Sequence, residues 1–385
     1  MRVLTVANHL GPRGGLERTQ LTNCRTLAAR AVQIDLIYVS AGDFEAEWRA
    51  FAASTTRIDG TLPRRAAPLR SVAGLAAAVR AGVRLRPDAI YVYRYWDLPY
   101  AVTVGALARA PVAFHLCLPP PRTVPRWLAW SLRRVAVTVS VSEDTARRWR
   151  EWGLDPDRTR IVRTGIDTAE FEPASPGERS AARRDLGVDD SDFLVLYTGR
   201  IDREKGVDVL VRACRALAEE QPSLRLAVVG GPSIGSDPAD SRRYADELHE
   251  AAGDAPVSWL EPRKDVRPLL AAADLAVVPS LWPEPLSRAV MEPLACGVPV
   301  LGSDVGGTAE VLTGPLAGFL FPPGDATALA EAIRARMTWR TDDPELGAEC
   351  RRFAVSNLSL ALEVDAIEAA LAEMQRPRRP RRTRG

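Results

Sequence analysis

Histidine, cysteine and lysine are scarce in this chain of 385 residues. The three histidines, His9, His115 and His249, stand far apart, which argues against a histidine-built metal centre. The five cysteines, at 24, 117, 214, 296 and 350, are odd in number and form no CxxC pair. Their spacings suit neither a disulfide framework nor a zinc site, so a reducing cytoplasm is the expected setting. Only Lys205 and Lys264 are lysines among 51 basic residues. Long apolar runs are also missing. The longest candidate, 101–119, is broken by Arg109 and Pro111, short of the ~18 apolar residues a membrane span needs. The opening MRVLTVAN reads as a first strand rather than a secretory signal.

What is present is ordinary globular usage, with 46% hydrophobic and 26% charged residues, and a length that suggests two domains. The net charge of +2 hides an asymmetry. Residues 1–170 carry 25 Lys/Arg against 15 Asp/Glu, and residues 171–375 carry 20 against 34. The last ten residues hold six arginines and no acid. A basic front half and an acidic back half point to two lobes with different partners.

Short β-branched runs alternate with longer Ala/Leu/Arg segments. Strands are predicted near 2–7, 34–39, 89–93, 112–116 and 135–141, then at 193–198, 224–230, 257–260, 275–278, 298–301 and 318–321. They are nearly continuous apolar runs, as in a parallel sheet covered on both faces. The alternation predicts two doubly wound α/β domains. A polar break with two prolines and two glycines, 165–180, is read as the linker. The expected division is an N-terminal domain over 1–168, a C-terminal domain over 169–353, a terminal helix over 354–375 and a basic, proline-rich tail over 376–385 that does not fold alone. Two such domains would face each other across a cleft, with ligands beyond the carboxyl ends of the strands.

Several residues carry candidate chemistry. Gly14-Gly15-Leu16-Glu17 follows the first strand and opens a helix, where free N–H groups favour an anion. A tight strand–helix turn is the other reading, and the absence of GxGxxG gives a nicotinamide cofactor no support. Arg200 and Lys205 lie in the TGRIDREKG segment after the apolar strand FLVLY. Two fixed cations there can clamp a diphosphate, or simply be solvated loop charges. In PSLWPEPLSRAVMEPLACGVPV, Glu284 precedes a helix expected from about Leu286, and Glu292 follows eight residues later. If that stretch is helical, both carboxylates share a face, with the amino end of the helix between them. Such an order suits a sugar, a diphosphate and a ribose in a row. The glycines of SDVGGTAE fit either backbone approach to a ligand or loop packing. His115, ending VAFHL, either faces the cleft or is a buried histidine satisfied by backbone. The Asp-x-Asp triplets, Asp155-Pro156-Asp157 and Asp190-Ser191-Asp192, sit in polar turns rather than directly after strands.

These residues together resemble the family-four retaining glycosyltransferases of the GT-B fold. The resemblance runs over about residues 1–350. It takes in GG-x-E, VSVSE, Gly165-Ile166-Asp167, GRIDREKG, ADLAVVPS, the E-x7-E pair, ACGVPV, GGTAE and FPPGD. It implies two Rossmann-like lobes, the C-terminal one for a nucleotide-diphosphate sugar and the N-terminal one for the acceptor. It implies donor binding by Gly14, Gly15, Arg200, Lys205, Glu284, Leu286, Ser287 and Glu292, with His115 as the active-site histidine beside the sugar. It implies metal independence and no further cofactor, because Arg200 and Lys205 offset the leaving-group charge. The chain departs from the family's usual pattern at Thr164, where asparagine is common, and at Ser287, where glycine is common.

The implied activity is transfer of a sugar to the hydroxyl of a sugar, lipid-linked or small-molecule acceptor. The alternatives are another GT-B enzyme, an epimerase or a phosphorylase, or a nucleotide-sugar-sensing protein whose arginine tail grips anionic lipid or nucleic acid. Nucleic acid is the less expected partner. Residues 122–134, RTVPRWLAWSLRR, pair tryptophans with arginines and read either as an interfacial helix at an anionic membrane or as ordinary packing on the sheet. Acceptor choice is expected in loops such as 40–66 and 94–99.

Overall fold

The computed structural model describes residues 1–11, 14–62, 68–121, 123–233 and 236–375. The tail 376–385, Arg122 and part of the 40–66 loop lie outside the described residues. The chain forms two compact units. One is Met1–Thr164 together with the chain from Ala361 onward, and the other is Gly165–Leu360.

The first unit holds β1 (Arg2–His9), β2 (Gln33–Ser40), β3 (Ser54–Arg57), β4 (Ala89–Val92), β5 (Val112–Leu116), β6 (Val137–Ser140) and β7 (Thr159–Ile161). Their order is β3-β2-β1-β4-β5-β6-β7, with every pairing parallel. The second holds β8 (Phe193–Thr198), β9 (Leu224–Val229), β10 (Val257–Leu260), β11 (Leu275–Val278), β12 (Val300–Ser303) and β13 (Leu320–Phe321). Their order is β10-β9-β8-β11-β12-β13, again all parallel. The second order is the doubly wound pattern, with its reversal between β8 and β11. Central strands such as β4, β5 and β11 are buried at every residue, which is why their sequences read as unbroken apolar runs. Edge strands β3 (STTR) and β7 (TRI) were not predicted. With one neighbour each, they carry polar side chains and give no apolar signal.

Two boundaries differ from the sequence reading. The expected linker 165–180 contains the start of a helix, Pro176–Leu186, fixed by a capping box between Ser175 and Glu178. The expected terminal helix 354–375 is the end of one helix, Leu346–Asn357, and the whole of another, Leu360–Gln375. The first stays in the second unit with Cys350 and Ala354 buried. The second returns to the first unit and buries Glu363, Val364, Ile367 and Leu371. The two crossings lie side by side. The Ile166 N–H donates to Leu358 O at 2.7 Å, and the Leu360 N–H to Ile166 O at 2.8 Å. The units therefore divide at 164/165 and 360/361 rather than at 168/169 and 353/354.

At the amino end of β11, Asp274 is 3% exposed. Its carboxylate accepts the Leu194 N–H at 2.9 Å, Arg179 at 2.6 Å, Arg183 at 3.0 Å and Arg340 at 2.7 Å. One anion thus ties a helix, β8 and a C-terminal segment together. Removing the charge leaves the Arg183 guanidinium, 1% exposed, with carbonyl acceptors and only the exposed Asp190, 3.8 Å away, as an anion. Asp274→Ala is expected to cost about 3–5 kcal/mol. The check is the urea midpoint of the variant, and an unchanged midpoint would contradict the account.

Candidate active site

In the second unit the carboxyl ends of β8 and β11 lie side by side at the reversal of strand order. The loop after β8 is held by its neighbours. The Gly199 N–H donates to Val229 O at 3.0 Å, and the Ile201 N–H to Gly231 O at 2.8 Å. Asp202 caps the turn Arg203–Lys205 by accepting the Lys205 N–H at 3.2 Å. Its other oxygen accepts Arg200 Nη1 at 2.5 Å and Ser233 Oγ at 2.6 Å. Arg200 is 45% exposed, so its guanidinium keeps an open side.

The loop after β11 meets this turn directly. The Leu281 N–H donates to Glu204 O at 2.8 Å. Gly206 has φ +63°, and a Cβ there would lie 2.1 Å from Pro279 O. Both the conformation and the contact require glycine. The result is an ion pair, with Lys205 Nζ 2.8 Å from Glu284 Oε2 and the two side chains 16% and 8% exposed. The Ser280 hydroxyl donates to the other carboxylate oxygen, Oε1. Lys205 and Glu284, 79 positions apart in the sequence, are thus brought into contact.

The helix expected from Leu286 begins at Arg288, with Ser287 as its N-cap and no side-chain cap bond. Glu284 stands in the loop before the helix, as the sequence reads, but the stretch from Glu284 to Glu292 is not wholly helical, so the shared helical face does not form. Glu292 is on the helix, where Arg288 Nε donates to its Oε1 at 2.8 Å. Among the described residues the N–H groups of Leu286 and Ser287 donate to no protein acceptor. Two donors beside the positive end of a helix suit an anion. The GGTAE glycines serve packing. The Gly307 N–H donates to Glu284 O at 2.8 Å, and a Cβ on Gly307 would lie 2.0 Å from Pro285 O. That close fit holds the Glu284 loop from behind.

In the first unit Gly14 is the extended N-cap of the helix Gly15–Ala29. A Cβ on Gly15 would meet nothing within 4 Å, so the described packing does not require glycine there. His115 on β5 is fully buried. Its Nδ1 lies 2.5 Å from the Tyr91 hydroxyl, and its ring stacks on Tyr93 at 4.7 Å. Nε2 is 4.0 Å from Glu363 Oε1, beyond hydrogen-bond reach. Of the two readings left open, the ring is the buried one, but a tyrosine rather than backbone meets Nδ1, and Nε2 has no hydrogen-bond partner among the described residues. Burial pushes its pKa down to about 3. Elsewhere, His9 Nδ1 lies 3.1 Å from Ser40 Oγ, and His249 packs against Trp259 with ring centroids 4.7 Å apart and planes tilted by 51°.

Sequence reasoning missed Asp202, Ser233, Ser280 and Arg288. Arg288 and Glu292 stand four apart, a helical spacing that signals a pair. Nothing in the sequence places Ser233 near Arg200. Both Asp-x-Asp triplets are in turns, and Asp192 pairs with Arg225 at 2.9 Å. Among the described residues no three His, Cys, Asp or Glu side chains converge as a metal site. A cavity of about 490 Å³ in the second unit is lined by Arg179, Arg340 and Arg351. Their donors are already spent on Asp274 and on carbonyls.

Residues 13–170 match the family model described as Glycosyltransferase Family 4, and residues 178–352 match Glycosyl transferases group 1. The chain belongs to glycosyltransferase family four. This family member is 33% identical to the alpha-maltose-1-phosphate synthase of Mycolicibacterium smegmatis over 241 residues, 59% of each chain. It thus spans under two thirds of that relative. It is 28% identical to the D-inositol 3-phosphate glycosyltransferase of Acidothermus cellulolyticus across 92% of this chain and 86% of the relative. Its structure resembles that of Anabaena Alr3699/HepE in complex with UDP, with TM-score 0.83, 22% identity, and coverage of 97% of this chain and 100% of that one. The fold is GT-B, with two Rossmann-like parallel sheets.

The buried imidazole gives a pH prediction. Above pH about 6.5 His115 is neutral in both folded and unfolded chains and adds no pH dependence. As pH falls from about 6.5 to about 3, only the unfolded chain takes up this proton, so stability drops. The slope for one proton is about 1.4 kcal/mol per pH unit. Urea unfolding of the wild type and His115→Gln should show their difference changing through this window, against the wild type as pH falls. A pH-independent difference would refute the assignment.

Proposed function

We propose that the protein is a retaining, metal-independent glycosyltransferase that moves a sugar from a nucleotide-diphosphate sugar to an acceptor hydroxyl. The observation that carries this reading is the Lys205–Glu284 pair, 2.8 Å apart where β8 and β11 end. Arg200 and Lys205 supply the cations for the diphosphate, and the N–H groups of Leu286 and Ser287 supply neutral donors. Glu284 accepts hydroxyls of the donor sugar, and Glu292, steadied by Arg288, accepts those of the ribose. Gly15, with open space above it, leaves room for a phosphate at the start of its helix. The relative from Anabaena is a UDP complex, which makes a uridine nucleotide the first donor to try.

In the proposed step the bond between the anomeric carbon and the diphosphate oxygen breaks. Its electron pair goes to the phosphate oxygen, whose charge Arg200, Lys205 and the helix start hold. The acceptor hydroxyl then bonds to the anomeric carbon on the same face, and its proton leaves on the diphosphate. The developing charge meets protein cations, so the reading requires no bound metal. The acceptor is a sugar, a lipid-linked compound or a small molecule.

Glu284→Gln and Lys205→Ala are each expected to lower turnover by about 100-fold or more. The assay is nucleotide release from UDP-, GDP-, ADP- and dTDP-sugars with a panel of acceptors. The anomeric configuration of the product, read by NMR, tests retention, and activity in excess EDTA tests metal independence. Near-wild-type turnover in both variants would remove the site.

A further inference from the structure

The first unit carries an aromatic and basic surface that the proposed reaction does not use. Between Asp97 and Glu143 the sequence has no acidic residue, while Arg109, Arg122, Arg126, Arg133 and Arg134 fall there. Asp97 is itself buried, at 1% exposure, and accepts the Thr61 hydroxyl at 2.8 Å. The helix Arg126–Leu132 crosses this region and is continued by Arg133, at φ −63° and ψ −13°. At about 100° per residue, positions 126, 127, 130, 133 and 134 fall within roughly 120° of its circumference. Those positions are Arg126, Trp127, Trp130, Arg133 and Arg134. The opposite positions, Leu128, Ser131 and Leu132, are buried. The short helix is therefore amphipathic in an unusual sense, because its outer face joins indoles to guanidinium groups.

The aromatic part extends beyond the helix. Trp96 packs against Trp127 with ring centroids 5.5 Å apart, and Arg134 stacks over Trp130 at 3.9 Å. Trp96 and Trp130 are 38% and 40% exposed. Among the described residues, no hydrogen bond occupies the indole N–H of Trp127 or Trp130, and that of Trp96 meets only the neighbouring Tyr95 hydroxyl. By contrast, buried Trp149 donates to Leu118 O at 2.8 Å. Scattered exposed aromatics are ordinary, whereas two packed indoles, a third one helical turn on, and the arginines of a segment without acids form a patch.

We infer that this face docks on an anionic membrane surface. The guanidinium groups complement lipid phosphates, and no carboxylate in the segment competes for them. Indoles favour the boundary between headgroups and acyl chains, where the ring is apolar-solvated and its N–H still finds an acceptor. A lipid surface also satisfies Arg126 and Arg133, whose guanidinium groups have no hydrogen-bond or ion-pair partner among the described residues, whereas Arg134 already donates to Trp130 O at 3.0 Å. The face is suited to lie on the membrane, not to cross it. Among the described residues no helix is long and apolar enough to span a bilayer.

The test uses the full chain and vesicles of phosphatidylcholine with about one-third phosphatidylglycerol, against phosphatidylcholine alone. The protein should sediment with the anionic vesicles, and salt should weaken that binding. Arg126→Glu with Arg133→Glu should lower partitioning by about tenfold or more, and Arg126→Ala with Arg133→Ala by less. Trp127→Ala with Trp130→Ala should lower it by a factor that salt does not change. Circular dichroism and melting curves confirm that the variants fold, and the alanine pair keeps the test open if the glutamate pair does not. Absence of wild-type binding to anionic vesicles would overturn the inference. So would undiminished binding of the folded arginine variants, which would move the contact elsewhere, such as to residues 376–385. Arginine-dependent binding to soluble polyglutamate but not to vesicles would mean an acidic protein partner, and would overturn it too.

Discussion

The second unit depends on the meeting of two loops at the point where its strand order reverses. β8 and β11 are neighbours in the sheet but lie nearly 80 residues apart in sequence. Their carboxyl ends open side by side because the chain leaves β8 toward β9 on one side and β11 toward β12 on the other. Gly206 lets the first loop press on Pro279, and the Leu281–Glu204 backbone bond fixes the register. Lys205 and Glu284 are then held at 2.8 Å with little exposure. Desolvating two charges this way contributes little net stability, and often costs more than an apolar pair. Ser280 and the packing of Gly307 behind the loop hold the carboxylate in place. A pair that stability does not explain, placed at a strand-order reversal, is more economically explained by what it does to a ligand.

The first unit poses a different constraint. It is not continuous in sequence, since the last described helix returns to it from the other unit. That helix brings Glu363 into a polar interior, where Asn23 donates to it at 2.8 Å across 340 positions. Tyr91, Tyr93 and His115 form the adjoining wall. Surface pairs such as Arg160 with Glu373, at 2.6 Å, contribute little by comparison. Closing so long a loop is entropically modest, growing with the logarithm of length, but it delays completion of the unit. The buried polar contacts then reward only the correct docking of the helix, because a misplaced Glu363 would be a buried charge without donors.

Most of this architecture was legible because central parallel strands are apolar at every residue. All six strands of the second sheet and five of the first show in the sequence. What escaped had physical reasons. The edge strands lack an apolar signature. The helix at Pro176 lies in a stretch whose prolines and glycines read as linker, although Ser175 and Glu178 spell a capping box. The destination of the final helix depends on burial partners hundreds of residues away. At the site, residue types and order located Lys205, Glu284 and Glu292, but their geometry was less accessible. Glu284 reads correctly as a loop residue, but the helix after it starts at Arg288 rather than near Leu286, so the helical face it would share with Glu292 does not form. Asp202, Ser233 and Ser280 act through contacts between segments, which no local pattern encodes. For His115 the sequence leaves a cleft position and a buried ring both open, and only the structure shows the ring buried against Tyr91 and Tyr93.

Arginine content alone says little about binding in this chain, and the structure supplies the missing criterion. Many guanidinium groups act as carbonyl clamps. Arg351 donates to Phe171, Ala295 and Thr168, and Arg179 to Ala271, Ala272 and Ala273. A planar fork with five donors suits such sites, and lysine would not replace it. Those arginines are satisfied and leave little for an anion. Arg200 differs because its partner, Asp202, belongs to its own loop and its outer side is open. Arg126 and Arg133 differ again, standing exposed in a segment with no acid. The same residue type thus serves as a structural clamp, a site cation and a surface charge, and the acceptors already within reach distinguish the three.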